Sequence, residues 1–255
     1  MNINGKNIPF SFSQNRLYND CPRKYKFRYI DNIVEPTNDN LELGSAIHKY
    51  FECLNDILYN YAFNENNYAL DIHKFVLEYS EFSPKASDYF AAYNTIISMK
   101  TKDYLDKLTS GWLEWRKLRN ITNTETRFEY DDFVAIFDVI SQHDGRFIIS
   151  DYKVTKKPKT FASIYSEGQL LLYKYIYSKS LSIPPDMIDI EYVNIKTFVA
   201  PDIVSIVKDN PDIQTCENVW NNVNKTKQKI LAGEFPKNRK WCNWCYYKDR
   251  CTNEE

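Results

Sequence analysis

The sequence predicts an α/β fold in which helices flank a mixed central β-sheet. Two observations carry this prediction. Apolar residues recur at helical spacing over most of the first 120 residues, and three consecutive strand patterns then precede a further helix and strand. The chain has 255 residues, enough for one large domain or two small ones. Because no repeat, low-complexity tract or flexible linker interrupts it, we interpret residues 1–255 as a single domain.

Two helices are predicted before residue 60. Within residues 11–30 (SFSQNRLYNDCPRKYKFRYI), Ser13 is of a type that caps helices. The helix should end at Cys21-Pro22, because proline disfavours helical geometry in the residue before it. A second helix is predicted over residues 41–60, with one apolar face formed by Leu43, Ile47, Phe51, Leu54 and Leu58.

The helical pattern continues from about residue 68 to 120, and we interpret about 60–120 as a helical insertion. Pro84 and Gly111 are expected to break it. Its apolar stripe consists of Phe90, Tyr93, Ile97, Tyr104, Leu108 and Trp112.

The spacing of apolar residues then changes from the helical period to the alternation typical of β-strands. Three are predicted, at Thr126–Tyr130, Phe133–Ile140 and Arg146–Lys153. Asp144-Gly145 is a strong signal for a hairpin joining the last two. The remaining predicted elements are a helix over 165–179, a break at Pro184-Pro185, a strand over 187–199 and a helix over 216–232.

Composition excludes several classes of function. The 33 basic and 34 acidic residues balance, so no global basic field points to nucleic acid. Neither GxGxxG nor GxxxxGK[ST] occurs, which argues against a glycine-rich phosphate loop. No apolar stretch approaches a membrane span and no signal peptide is visible, so we expect a cytoplasmic protein whose six cysteines are thiols or metal ligands. Richness in Asn, Ile, Lys and Tyr is typical of AT-rich bacterial or viral genomes.

The segment Asp138–Lys153 (DVISQHDGRFIISDYK) is the main candidate for a catalytic site. Alternation along a strand places Asp151 and Lys153 on one face, and a hairpin can bring Asp138 beside Asp151. Two close carboxylates favour a Mg²⁺ or Mn²⁺ ion between them. A metal-dependent phosphodiester nuclease is the leading hypothesis, although a bare DxK on an ordinary surface hairpin is common.

Three further elements contribute candidate residues. His48 lies next to Ile47 on the second helix, at the rim of its apolar stripe, where it is either structural or a third metal ligand. Gln169 and Tyr173 are four residues apart on one helical face, where they are ordinary amphipathic residues or contact phosphate and orient Lys153. Two acidic residues on the strand before Asp138 are candidates for another acidic group, Glu125 and Glu129.

The C-terminal knuckle, residues 241–251, contains three cysteines. Cys242, Cys245 and Cys251 could supply three of the four thiolates of a Zn²⁺ site or a [4Fe–4S] cluster, unless they are unrelated thiols. Cys21 is the strongest candidate for the fourth, because it lies in a turn before proline. Cys53 and Cys216 are more typical of buried small apolar residues.

Taken in order, these segments resemble the PD-(D/E)XK nuclease superfamily, in its RecB-like branch. The matching segments are SFSQNRLYNDCPRKYKFRYI, GSAIHKYFE, TETRFEY, IFDVI, IISDYK and GQLLLYKY. The resemblance implies a restriction-endonuclease-like core. It further implies that Lys153 is catalytic, that Gln169 and Tyr173 support it, that Glu125 is the better acidic candidate, and that the metal ligands are His48, Asp138 and Asp151.

Two positions depart from the family pattern. The family usually has glycine two residues before the metal-binding aspartate, where this chain has Ile136. It commonly has threonine after the catalytic lysine, where this chain has Val154. Neither change removes a ligand, but Ile136 narrows the room for DNA.

The cysteines are similar to those of the iron–sulfur subgroup, which includes CRISPR-associated Cas-four exonucleases and the AddB nuclease domain. That resemblance, rather than spacing, favours [4Fe–4S] over Zn²⁺. It implies a Mg²⁺- or Mn²⁺-dependent DNA exonuclease acting at single-stranded ends in repair, recombination or CRISPR adaptation, of bacterial or phage origin, with a helicase or integrase as partner. A non-catalytic iron–sulfur DNA-binding subunit and a zinc-containing nucleic-acid module are the alternatives.

Overall fold

A six-stranded mixed sheet forms the centre of the computed structural model, which describes residues 1–3, 6–36, 38–60, 76 and 85–253. Its strands are β3 (Phe10–Ser11), β4 (Asn120–Tyr130), β5 (Phe133–His143), β6 (Arg146–Thr155), β7 (Ile188–Lys196) and β8 (Val204–Asp209). Their order is β3-β5-β6-β7-β8, with β4 pairing antiparallel to β5. A separate antiparallel pair joins β1 (Asn2–Ile3) and β2 (Lys6–Asn7).

The predicted hairpin is confirmed. Asp144 and Gly145 both have positive φ, as the turn between β5 and β6 requires, and the pairing extends to Val139 opposite Ser150. The same edge of β5 also pairs in parallel with β3, at Phe133 and Val134. Residues 135–138 therefore lie between two different partner strands, and the sheet opens there at Asp138.

Helices cover both faces of the sheet. They are α1 (Phe12–Asp20), α2 (Pro22–Tyr25, continued by a π-helical turn over Lys26–Ile30), α3 (Asp39–Asn60), α4 (Ala86–Met99), α5 (Lys102–Lys117), α6 (Phe161–Glu167), α7 (Gln169–Leu181), α8 (Ile213–Leu231) and α9 (Lys248–Asn253). One core packs α3, α4 and α5 against the sheet, and a second packs α1, α7 and α8 against it. This arrangement confirms the predicted α/β class with a mixed sheet flanked by helices.

Several predicted elements appear close to their expected bounds. The helix predicted over 41–60 is α3, and Ile47, Phe51 and Leu54 on its predicted face are fully buried. The expected break at Pro84 lies outside the described residues. Within the part of the chain that the structure describes, no helix is long and apolar enough to cross a membrane.

Three local predictions are wrong, and one strand was not predicted. Ser11, not Ser13, caps α1, because its side chain accepts from the backbone N–H of Gln14. Gly111 lies inside α5 without breaking it, since the missing side chain makes room for Val204, which a Cβ there would meet at 3.0 Å. The single helix predicted over 165–179 is two helices separated at Gly168, whose φ of +75° turns the chain. Strand β8 was not predicted.

A buried ion pair fixes α5 to the sheet. Glu191 on β7 is fully buried, and its carboxylate accepts from Arg119 Nη2 at 2.7 Å and Nε at 3.1 Å. The same carboxylate accepts from Trp115 Nε1 at 3.0 Å and Ser150 Oγ at 2.7 Å. Four donors therefore satisfy this charge, as a buried carboxylate requires.

Candidate metal centre and catalytic site

Four acidic or imidazole side chains converge where β5 and β6 separate. Asp138 comes from β5, Glu125 from β4, Asp151 from β6 and His48 from α3. Nδ1 of His48 lies 3.5 Å from Asp138 Oδ2 and 3.9 Å from Glu125 Oε1. One ligand atom from each of these three residues lies within 4.8 Å of the others, a spacing suited to a single cation.

The backbone of Tyr152 orients two of these groups. Its carbonyl lies 3.2 Å from His48 Nε2, and since a carbonyl only accepts, Nε2 must carry the proton. The lone pair of a neutral His48 is then on Nδ1, on the side of the carboxylates, where a metal ligand needs it. The N–H of Tyr152 donates to Asp138 Oδ2 at 2.6 Å, which fixes that carboxylate as well.

Glu125 reaches the site through an irregular strand. Its φ of +45° is in the left-handed region, which costs free energy for a residue with a side chain. The pairing of β4 with β5 shifts register between Ile121 and Asn123, just before it. Such irregularities redirect side chains near functional sites, and here Glu125 is brought to Asp138.

The electrostatics of the site favour binding of a cation. Burial raises the pKa of Glu125 to about 7, and the neighbouring Asp138 carboxylate adds to the effect. Burial opposes protonation of His48, but Asp138, Asp151 and Glu125 outweigh it and raise the pKa of His48 to about 9. The donor set of one imidazole and hard carboxylate oxygens fits Mg²⁺ or Mn²⁺.

Asp151 and Lys153 form a second, linked group. Asp151 is almost completely buried, and its Oδ2 lies 2.6 Å from Lys153 Nζ. Burial raises the pKa of Asp151 to about 6 despite the opposing effect of Lys153. Asp151 also acts on the titration of His48, so the two groups belong to one electrostatic site.

The side-chain amide of Gln169, at the start of α7, forms hydrogen bonds with both Asp151 and Lys153. Its Oε1 accepts from Lys153 Nζ at 2.8 Å, while its Nε2 donates to Asp151 Oδ1 at 2.8 Å and to the Tyr173 hydroxyl at 3.1 Å. Gly168 makes this contact possible, because the turn at that residue starts α7 with Gln169 directed at the strand. The structure thus brings the predicted site residues together. They are His48, Glu125, Asp138, Asp151, Lys153, Gln169 and Tyr173.

The four predicted ligand cysteines line one cavity of about 600 Å³ between the two ends of the chain. Burial raises the pKa of the Cys245 thiol, and nearby Cys21 and Cys242 act in the same direction. Cys53 and Cys216 lie elsewhere and are fully buried, as their small apolar character predicted. The cavity also carries a basic lining that includes Arg16, Lys24, Lys237, Arg239 and Lys248.

Hydrogen bonds join the chain ends around this cavity. The Tyr18 hydroxyl donates to the Glu234 carbonyl at 2.6 Å, and the Asn238 side chain donates to the Asp20 carbonyl at 2.8 Å. A third bond of 2.8 Å runs from the Tyr247 hydroxyl to the carbonyl of Ile33. We call the cavity with these contacts the cysteine cavity.

Sequence reasoning missed the roles of Tyr152 and Trp112. The Tyr152 side chain faces the opposite way from Asp151 and Lys153, into the core, where its hydroxyl accepts from Trp112 Nε1 at 2.8 Å. This anchor holds the backbone that binds His48 and Asp138. The only sequence signal was its place between the aspartate and lysine of the DYK segment.

This chain is similar to known proteins in its sequence family and in its fold. No protein of curated function matches the sequence. A solved structure from Eubacterium rectale, named "Putative exonuclease", is 12% identical with a TM-score of 0.50, over 95% of this chain and 88% of that chain. This likeness concerns the fold alone. A structure named SSO0001 is 14% identical with a TM-score of 0.34, over 90% of this chain and 94% of that chain. The model of the PD-(D/E)XK nuclease superfamily matches residues 9–252, so this chain belongs to that superfamily.

Proposed function

We propose that the protein is a Mg²⁺- or Mn²⁺-dependent DNA exonuclease that hydrolyses phosphodiester bonds. The observation that carries this proposal is the apposition of two groups across the opening of the sheet. His48, Glu125 and Asp138 form one, and Asp151 with Lys153 forms the other. Membership of a nuclease superfamily agrees with hydrolysis of nucleic acid.

Each side chain has a role that follows from its contacts. His48, Asp138 and, from the family resemblance, Asp151 are proposed to hold the metal, and Glu125 is close enough to His48 and Asp138 to join them. When bound, the ion would polarise the phosphate and lower the pKa of water. Lys153, held by Asp151 and the Gln169 amide, offers a fixed ammonium against negative charge that builds on the phosphate oxygens.

Tyr173 completes this arrangement by supporting the amide of Gln169. Its hydroxyl accepts from Gln169 Nε2 and can itself donate to a phosphate oxygen. Burial raises the pKa of Tyr173, so the hydroxyl keeps its proton near neutral pH. We assign Gln169 and Tyr173 to positioning rather than to proton transfer.

The cysteine cavity is proposed to hold a [4Fe–4S] cluster. Four thiolates could hold either a zinc ion or such a cluster, and the family resemblance, rather than the spacing of the cysteines, favours the cluster. The basic lining of the cavity favours the anionic thiolate form of the cysteines.

The biological setting follows from the family resemblance. We propose single-stranded DNA ends as substrate, and repair, recombination or CRISPR adaptation as the process, in the cytoplasm of a bacterium or in a phage infection. We propose a helicase, which would supply unwinding, or an integrase as the protein partner.

Cleavage of end-labelled oligonucleotides tests the proposed activity. Single- and double-stranded DNA are incubated with Mg²⁺, with Mn²⁺ or with EDTA, and products are resolved as a ladder. We expect metal-dependent loss of the end label, abolished in Asp151→Asn and kept in Asp144→Asn, whose side chain lies in the exposed hairpin turn. Metal-independent cleavage, or full activity of Asp151→Asn, would refute the mechanism, while a folded protein that binds DNA without cutting it would support the non-catalytic alternative.

The cluster has its own test. Anaerobically purified protein should be brown, with about four irons per chain, and a Cys242→Ser/Cys245→Ser variant should lose the colour. Colourless protein with stoichiometric zinc would overturn the assignment.

A further inference from the structure

The region beyond the C-terminal end of β6 exposes aromatic rings beside lysines. Asp151 and Lys153 lie on β6, and Lys156 and Lys157 follow within four residues, both exposed. Neither of these two lysines lies in an ion pair with any residue that the structure describes. Their positive charge is therefore available to an anionic ligand close to the catalytic site.

Two hydrogen bonds hold the segment that leads from these lysines to α6. The buried side chain of Asn194 accepts from the N–H of Lys159 at 2.7 Å and donates to its carbonyl at 3.0 Å. Thr160 and Ser163 then form a capping box that begins α6. The direction in which α6 leaves the sheet is thus fixed by the fold.

α6 presents an exposed aromatic pair. Phe161 and Tyr165 are one helical turn apart, with ring centroids 5.5 Å from each other, and they are 54% and 42% exposed. Ile164 on the same helix is fully buried and supplies its core contact, so packing does not account for the two rings. The Tyr165 hydroxyl donates to Asp209 on β8, which fixes that ring in place.

A third ring lies in the loop between β7 and β8. Phe198 is 50% exposed, and the ammonium of Lys196 lies 5.9 Å from its centroid. The loop adjoins the end of β6, because the N–H of Thr197 donates to the Thr155 carbonyl at 3.3 Å. Phe198 therefore lies at the same end of the sheet as Lys156 and Lys157.

The distance from the catalytic site matches a short length of nucleic acid. β8, which holds Tyr165 through Asp209, lies two strand spacings from β6, or about 10 Å. Stacked nucleic acid rises about 3.4 Å per nucleotide and an extended single strand spans more, so this distance corresponds to at most about three nucleotides. A strand whose phosphate is at Asp151 could thus place nearby bases against the rings.

We propose that Phe161, Tyr165 and Phe198, with Lys156 and Lys157, form a stacking platform for the bases of single-stranded DNA entering the catalytic site. Exposed rings bind unpaired bases through their faces, which a duplex keeps stacked internally, while the lysines contact the backbone of either form. The platform thereby discriminates in favour of single strands. This inference rests on the proposed function, since it assigns a substrate form to the same catalytic site.

Binding of DNA to a cleavage-deficient Asp151→Asn protein tests the platform. Fluorescence anisotropy is measured with a labelled oligo-dT 20-mer and with a duplex of equal length. Phe161→Ala/Tyr165→Ala should weaken single-strand binding at least about fivefold and change duplex binding less than about twofold. Tyr59→Ala, which removes an exposed ring at the far end of α3, is the matched control and should change neither affinity.

The contribution of the two lysines is measured separately, from the salt dependence of DNA binding. Lys156→Ala/Lys157→Ala should reduce the slope of log affinity against log salt by about 1.4 for single strands. Phe198→Ala and Phe161→Trp make the test independent of any one substitution. In Phe161→Trp, oligo-dT should quench the fluorescence of the introduced indole. Thermal melting confirms that every variant is folded.

Three results would overturn the platform, and two of them are an unchanged single-strand affinity in the double alanine variant and an equal loss for both DNA forms. If the Asp151→Asn protein binds no single-stranded DNA at all, the platform is likewise refuted. Failure of the proposed nuclease activity is a different outcome. In that case the protein without substitutions binds single-stranded DNA, with the predicted dependence on the rings, but does not cleave it.

Discussion

Removal of Arg119 should strongly destabilise the fold, because it leaves the Glu191 carboxylate buried without a cation. Arg119 is 8% exposed and Glu191 is not exposed, so water cannot replace the lost partner. Two hydrogen bonds from Arg119 to Glu191 would be lost, each worth about 1.5–3 kcal/mol for a charged acceptor. We therefore expect Arg119→Met to lower the free energy of unfolding by about 3–5 kcal/mol, the usual cost of breaking a buried pair.

Urea denaturation followed by circular dichroism measures this change. The exposed pair of Arg127 and Glu129, which are 52% and 65% exposed, supplies the control, and Arg127→Met should cost less than about 1 kcal/mol. An Arg119→Met/Glu191→Met double variant should be more stable than Arg119→Met alone, since both charges are gone. A cost below about 1 kcal/mol for Arg119→Met would refute the argument that this pair fixes α5 to the sheet.

Three further predictions concern single residues. Gln169→Leu removes the amide that holds Asp151 and Lys153, and should reduce the cleavage rate at saturating DNA about 10- to 100-fold with little loss of stability, as steady-state kinetics and melting would show. Gly111→Val places side-chain atoms against Val204 and should cost about 1–3 kcal/mol in urea unfolding; an unchanged midpoint would contradict the close packing. Burial opposes ionisation of Asp189, but its bonds from Arg146 and Lys208 hold the pKa of that carboxyl below its ordinary value. A depressed pKa adds stability that is present above the unfolded value and lost as pH falls through the folded one. Melting from pH 7 to pH 3 should therefore show Asp189→Asn less stable than the parent at pH 7, with the difference shrinking below about pH 4.

Local patterns predicted much of the fold and the placement of several candidate site residues. The Asp144-Gly145 turn set the register of the hairpin, and alternation placed Asp151 and Lys153 on one face. The helical phase of α3 placed His48 at the rim of its buried face. These predictions succeed because each depends on residues close together in sequence.

Features set by distant contacts were not predictable. The opening of the sheet at Asp138 depends on β3, a strand of two residues that pairs with β5 from far away in the chain. Glu125 reaches the site only through a left-handed backbone that no residue preference favours. Gly111 reads as a helix breaker until Val204, on a strand that was not predicted, is seen against it.

The cysteine cavity also has a consequence for how the chain folds during synthesis. Its walls join residues near 20 to residues near 240, so these contacts have very large sequence separation. A ribosome releases the N-terminal residues long before their partners exist, and α1 must wait while the sheet forms behind it. Strand β3, which leads directly into α1, can pair with β5 as soon as residue 134 has been made, so the cysteine cavity closes after the sheet has formed.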